Sequence, residues 1–264
     1  MSSAAPLGVF DSGVGGLSVA REIHALLPAE RLLYVADSAY CPYGGRPEAE
    51  IRARALAIGR WLVRHGAKLV VVACNTASAA ALEALRAELS VPVVGMEPAV
   101  KPAAATTRNR RVGVLATEAT LNAERFERLM HTYAADVQVR VQPGVGLVEL
   151  VERGAVQGEE AGRAVSAAVR PLAEAGVDTV VLGCTHYPFL REQIAAALGV
   201  GVSVLDTGAA VARQVRRVLS RADALAQDGG GTLEFVTTGD ADTVRPVAER
   251  LWGAPLAARA EAIG

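Results

Sequence analysis

Residues 60–74 and 170–184 carry one pattern twice. The run from Arg60 through Gly66 and Leu69-Val70-Val71-Val72 to Cys74 lines up with the run from Arg170 through Gly176 and Thr179-Val180-Val181-Leu182 to Cys184, at a constant offset of 110 positions without a gap. Each copy reads as a helix, a glycine at its C-terminal end, an apolar strand, and then a cysteine followed by two polar residues. Fainter echoes keep the same order. Gly8-Val9-Phe10-Asp11-Ser12 resembles Gly113-Val114-Leu115-Ala116-Thr117, and Val91-Pro92-Val93-Val94 resembles Val202-Ser203-Val204-Leu205. Chance matches between valine-rich strands do occur, but three in register order favour a duplicated chain.

Around this repeat, β-branched runs alternate with helical stretches, which predicts strands at 7–11, 31–36, 68–73, 91–95, 111–116, 137–141, 179–183, 202–205 and 232–237. Runs such as Leu69–Val72 are apolar on both faces, as in parallel sheet covered by helices on each side. The expected fold is α/β, with two pseudo-symmetric open parallel-sheet lobes and a site in the cleft between them. Residues 1–98, joined by a returning segment 207–264, would make the first lobe, and residues 99–206 the second. The Asp228–Gly231 run reads as a loop.

Composition narrows the function. About half the chain is hydrophobic (51%) and the formal net charge is -1, with no basic patch to serve as a footprint for nucleic acid or an anionic membrane. Residues 1–6 lack a basic start and an apolar run, and no segment reaches the roughly 20 apolar residues of a membrane span. A soluble, cytoplasmic protein is expected. The three cysteines, Cys41, Cys74 and Cys184, are far apart with no Cys-x-x-Cys pair, so neither a disulfide framework nor a zinc site has support.

In open parallel sheets, ligands bind beyond the carboxyl ends of strands. Asp11-Ser12, Cys74-Asn75-Thr76, Thr117 and Cys184-Thr185-His186 fall at such ends, and Pro42-Tyr43-Gly44-Gly45 follows the second strand. If the halves face each other, Cys74 and Cys184 enter one cleft from opposite sides. Inverting a stereocentre by proton transfer requires removal from one face and delivery to the other, and two fixed bases do this without either crossing the substrate. A thiol, with an ordinary pKa of about 8.5, can serve as acid or base once its surroundings move it toward neutrality. Asp11 and His186 are candidates to assist those proton shifts. Ser12, Asn75, Thr76, Thr117 and Thr185 could hold a small dicarboxylate, or simply cap helices.

Other readings stand beside this one. Cysteine is a common small core residue, and Cys41, without a repeat partner, reads as structural. His24, His65 and His131 sit in helical patterns as packing or surface residues, and Glu152 reads as part of a solvated helix face. Gly13-Val14-Gly15-Gly16 after the first strand, with Asp37 at the end of the second, suggests a dinucleotide-binding dehydrogenase with Asp37 on the ribose. The fingerprint Gly-x-Gly-x-x-Gly, however, would need glycine where Ser18 stands. A non-enzymatic small-anion binding protein would use the same cleft with inert thiols.

Taken together, Gly8–Leu17, Pro42-Tyr43-Gly44, Ala73-Cys74-Asn75-Thr76-Ala77 and Leu182-Gly183-Cys184-Thr185-His186-Tyr187-Pro188 resemble the glutamate racemases of the aspartate/glutamate racemase superfamily, with similarity over roughly residues 7–240. The resemblance implies interconversion of L- and D-glutamate without pyridoxal phosphate or metal, supply of D-glutamate for peptidoglycan, and a homodimer. It also implies that Cys74 takes the α-proton of D-glutamate, supported by Asp11, and that Cys184 takes that of L-glutamate, supported by His186 and Glu152. Asp11, Ser12, Tyr43, Gly44, Asn75, Thr76, Thr117, Thr185 and His186 would bind substrate. Aspartate racemase is the alternative within the superfamily. Gln142-Pro143-Gly144-Val145-Gly146 stands where many members carry Cys-Pro.

Overall fold

Each strand in the computed structural model, which describes residues 3–227 and 230–264, pairs in parallel with its neighbours. The chain begins β1 (Leu7–Asp11), α1 (Leu17–Leu26), β2 (Leu32–Ala36), α2 (Glu48–Arg64), β3 (Leu69–Val72), α3 (Asn75–Glu88) and β4 (Val93–Val94). It continues with α4 (Val100–Thr106), β5 (Arg111–Ala116), α5 (Glu118–Leu121), α6 (Glu124–Tyr133), β6 (Gln138–Pro143), α7 (Leu147–Glu152), α8 (Gly158–Glu174) and β7 (Thr179–Gly183). The last elements are α9 (Arg191–Leu198), β8 (Ser203–Leu205), α10 (Gly208–Arg221), β9 (Leu233–Thr237), α11 (Ala241–Trp252) and β10 (Ala258–Ala260).

Two sheets result, ordered β10-β9-β2-β1-β3-β4 and β6-β5-β7-β8. The order β2-β1-β3-β4 thus recurs as β6-β5-β7-β8, the pseudo-symmetry that the repeat implied. The correspondence reaches single contacts. In β1, Gly8 pairs with Val70 and leaves room for Leu62 of α2, because a Cβ there would lie 3.1 Å from Leu62 Cδ1. In β5, Gly113 pairs with Val180, and a Cβ there would lie 3.2 Å from Leu172 Cδ1 of α8. Both helices end alike. Gly66 and Gly176 take the left-handed backbone at φ 84° and 64°, and the next residues, Ala67 and Val177, donate back to Leu62 O and Leu172 O. That geometry favours glycine and closes each helix before its strand begins.

Alternation in the buried strands supplies two faces per sheet. Leu69 and Val71 join Val180 and Leu182 in one continuous core, whereas Val70 and Val72 pack beneath α2 and α3, and Val181 packs with Val112 and Val114. The segment after β8 returns to the first sheet, where β9 pairs with β2 and β10 with β9.

Most expected strands lie within two residues of their predicted bounds, and one contraction and one unexpected strand have a physical cause. The predicted 91–95 strand contracts to Val93–Val94, because Pro92 accepts from Val70 N but has no N–H to return. β10 was not predicted: Ala258-Arg259-Ala260 has no β-branched residue, and pairing to β9 alone makes it a strand. Of the Asp228–Gly231 loop expected from sequence, Asp228 and Gly229 lie outside the described residues, while Gly230 and Gly231 are irregular.

Candidate active site

The carboxyl ends of β1, β3, β5 and β7 converge on a narrow, nearly closed cleft with an open volume of only about 10 Å3. Cys74 and Cys184 both line it, one from each sheet, and both are nearly buried. Every other residue singled out from sequence as binding lines it too, apart from Asp11: Ser12, Tyr43, Gly44, Asn75, Thr76, Thr117, Thr185 and His186. Pro42 and Val148 complete the wall. Val148 was not anticipated, since one valine on an apolar helix face carries no signal beyond packing. Neither arginine nor lysine lines the cleft among the described residues. A larger groove of about 540 Å3 runs beside it between α2–α3 and α5–α6, but its arginines Arg46, Arg52, Arg125 and Arg128 are already paired with glutamates.

Cys74 is the N-cap of α3, and its Sγ accepts from Ala77 N at 3.4 Å, the place where a helix favours negative charge. Of the residues that might have been ordinary caps, Thr117 is one: its Oγ1 accepts from Thr120 N at 3.3 Å. Thr76 Oγ1 lies 3.0 Å from Thr117 Oγ1 and 3.1 Å from Thr120 Oγ1, so a cluster of hydroxyls closes one side between the sheets. Asn75 Oδ1 is buried and has no partner among the described residues, an acceptor left for a ligand's ammonium or N–H.

Asp11 ends β1 beneath the cleft. Its Oδ2 accepts from Gly16 N at 2.8 Å, and Thr185 Oγ1 stands 3.5 Å away. On the opposite side Cys184 Sγ lies 3.6 Å from His186 Nδ1, and His186 Nε2 lies 2.6 Å from Glu152 Oε1. Glu152 also takes the Val14 N–H at 2.8 Å. The solvated-face reading of Glu152 is thereby corrected: the α7 end turns its carboxylate inward onto the imidazole. Periodicity could not show this, because the partner lies 34 positions downstream.

The glycines of the β1–α1 loop find their cause here rather than in a nucleotide. A Cβ at Gly13 would stand 2.0 Å from Glu152 Oε1, and one at Gly15 would stand 2.2 Å from His186 Nδ1. Ser18, where the dinucleotide fingerprint needs glycine, donates to Thr185 O at 2.8 Å and ties α1 to the Cys184 turn.

The electrostatics of the two sides are opposite. Burial raises the Asp11 carboxyl above the usual range against the opposing pull of His186. Burial, with the Asp11 charge adding to it, pushes the Cys74 thiol well above the ordinary thiol range. Cys74 therefore rests protonated beside an acceptor, contrary to the expected shift toward neutrality. Burial disfavours the His186 cation, but hydrogen bonds with Cys184, Cys41 and Glu152 outweigh it and hold the imidazole well above its ordinary pKa. Burial also disfavours the Glu152 carboxylate, and bonding to His186 nevertheless brings its carboxyl below the usual value. Cys184 thus has an imidazolium at its side.

Cys41 is half-buried against this dyad, and burial raises its thiol to about 12. The ligand atoms of Cys41, Glu152 and His186 all lie within 4.8 Å of one another, a set chemically suited to a soft divalent ion. Nε2 and Oε1 are engaged with each other, however, and Oε1 also with Val14 N.

Residues 7–215 match the model of the Asp/Glu/hydantoin racemase family. The chain is 54% identical over 236 residues to a glutamate racemase of Herpetosiphon aurantiacus, covering 89% of this chain and 93% of the relative. A glutamate racemase isoform of Bacillus anthracis superposes with a TM-score of 0.88 at 34% identity, covering 97% of each chain. Glutamate racemase of Escherichia coli, solved with L-glutamate and the activator UDP-MurNAc-Ala, superposes at 0.86 with 37% identity over 97% of this chain and 98% of its own. The chain belongs to the Asp/Glu/hydantoin racemase family of isomerases.

Proposed function

We propose that this protein interconverts L- and D-glutamate by a cofactor-independent, two-thiol proton transfer and so supplies D-glutamate for peptidoglycan synthesis. The observation that carries the reading is the presence of Cys74 and Cys184 in one cleft, each at the end of an equivalent strand of a different sheet. A substrate α-carbon between them presents one face to each sulfur. With L-glutamate, the Cys184 sulfur, steadied by the His186–Glu152 pair, takes the α-proton while the Cys74 thiol delivers its own to the far face. With D-glutamate the roles reverse, and Asp11 accepts the proton that Cys74 must first release. Hydroxyls and amides at Ser12, Asn75, Thr76, Thr117 and Thr185 bind the carboxylates and amino group, with the α3 N-terminus favouring an anion.

We further assign residues 1–98 with 207–264 to one lobe and 99–206 to the other, and take the working form to be a cytoplasmic homodimer. No helix among the described residues is long and apolar enough to cross a membrane.

Circular dichroism of L-glutamate and L-aspartate with purified, cofactor-free protein tests the reading. Decay of the glutamate signal to zero supports it, and decay for aspartate alone would transfer the activity to the other substrate. In D2O, product should carry deuterium at the α-carbon before substrate does; equal labelling of both from the start would indicate a single exchanging base.

A further inference from the structure

Pro42, Tyr43 and Gly44 form one wall of the cleft, yet among the described residues their backbone makes no hydrogen bond outside its own turn, in which Arg46 N donates to Tyr43 O at 3.1 Å. Side chains must therefore place this wall. Tyr43 is buried, and its Oη points away from the cleft to donate to Asp37 Oδ2 at 2.5 Å. Asp37 has no solvent exposure. Arg54 grips it with two bonds, Nε to Oδ2 at 3.0 Å and Nη2 to Oδ1 at 2.8 Å, and Thr238 Oγ1 donates to Oδ1 at 2.8 Å. The remaining nitrogen of the fork, Nη1, donates to Ile263 O at 2.6 Å, and the guanidinium lies 4.0 Å from the Tyr40 ring centroid at the start of the same loop.

The planar guanidinium leaves its partner carboxylate little orientational freedom, because both oxygens are engaged in a fixed plane. We propose that Asp37 and Arg54 are positioning residues for the reaction: they aim Tyr43 and so hold the Pro42–Gly44 wall at the distance the substrate requires, with the C-terminal Ile263 carbonyl as a third fixed point. The acid considered for a ribose thus aims a cleft wall instead. Gly44 carries the effect across the cleft, since a Cβ there would stand 3.2 Å from Thr117 Cβ and the loop rests directly on that hydroxyl cluster. The kinetic consequence rests on the racemase reading; the positional one does not.

The test uses Tyr43→Phe, which deletes only the Oη bond, and Arg54→Lys, which keeps the charge but loses the fork. Each should raise KM for both enantiomers about tenfold with kcat within about threefold of wild type. Hydrogen exchange should quicken in residues 38–46 and stay unchanged in β1 and β3, with Tm within about 4 °C for Tyr43→Phe. Unchanged KM and exchange in both variants would overturn the proposal. So would a joint fall of kcat, Tm and protection across the whole chain, which would make the pair merely structural. Should wild-type protein fail to racemise glutamate, the functional reading falls and the exchange measurement alone decides the positional one.

Discussion

His186 and Glu152 meet at 2.6 Å above the loop that joins β1 to α1, so three separate stretches of chain are fastened at one point. Each partner shifts the other in the direction that keeps both charged. His186, raised from 6.5, contributes stability that is complete below its ordinary value and lost as pH climbs through the raised one. Glu152, lowered from 4.5, contributes stability that is present above its ordinary value and lost as pH falls through the lowered one. Together they stabilise a window running from below 4.5 to well above 6.5. Glu152→Gln should show its largest stability deficit inside that window and converge on wild type at either extreme, as followed by urea unfolding across pH. The alkaline limb of kcat/KM should move to lower pH, and a deficit independent of pH would dissociate the pair from both effects.

Gly15→Ala should be nearly inactive, because its methyl would occupy the space of the His186 ring, 2.2 Å from Nδ1. Forcing that group in should cost about 1–3 kcal/mol of stability and about a hundredfold or more in kcat. An alanine variant with wild-type turnover would show that the ring does not need its observed position.

Removing either sulfur should stop the reaction in both directions. Cys74→Ala and Cys184→Ala are each expected to lose about a thousandfold or more in racemisation, while calorimetry still detects glutamate binding through the hydroxyl and amide groups. One single variant that racemises near the wild-type rate would refute the two-base scheme.

The parts of the molecule open to sequence reading share a local cause. Continuous β-branched apolar runs and the glycines after α2 and α8 announce β3, β7 and their closing turns, and the thiols follow just beyond. Ser12, Asn75, Thr76 and Thr185 came with them because strand ends are where such folds present polar groups. What stayed hidden depends on distance along the chain. Glu152 faces His186 only because α7 is carried across to β7, and Gly13 and Gly15 mimic a nucleotide loop until that dyad is set on top of them. The upward shift of Cys74 likewise comes from burial beside Asp11, a property no tripeptide carries. β10 shows the same limit in the backbone, since its residues have no preference for the strand they form.

Lys68, one of two lysines in the sequence, lies immediately before β3 and forms a buried ion pair with Glu30 at 2.7 Å, the side chains exposed by 1% and 2%. It also donates to Ser3 O and Ala224 O, tying the chain before β1 to the end of α10. Lys68→Met should cost about 3–5 kcal/mol by stranding the carboxylate, and adding Glu30→Met should recover part of the loss. Equal destabilisation by the single and double variants in thermal unfolding would show that the carboxylate does not depend on its partner.

The hydroxyls of Thr76, Thr117 and Thr120 meet one another across the seam between the sheets. A hydroxyl can exchange a neighbouring hydroxyl for a water molecule at little net cost, about 1 kcal/mol per bond. Hydration of this edge therefore costs the cluster itself little, while on the same flank Arg125 of α6 pairs with Glu83 of α3 and with Glu97.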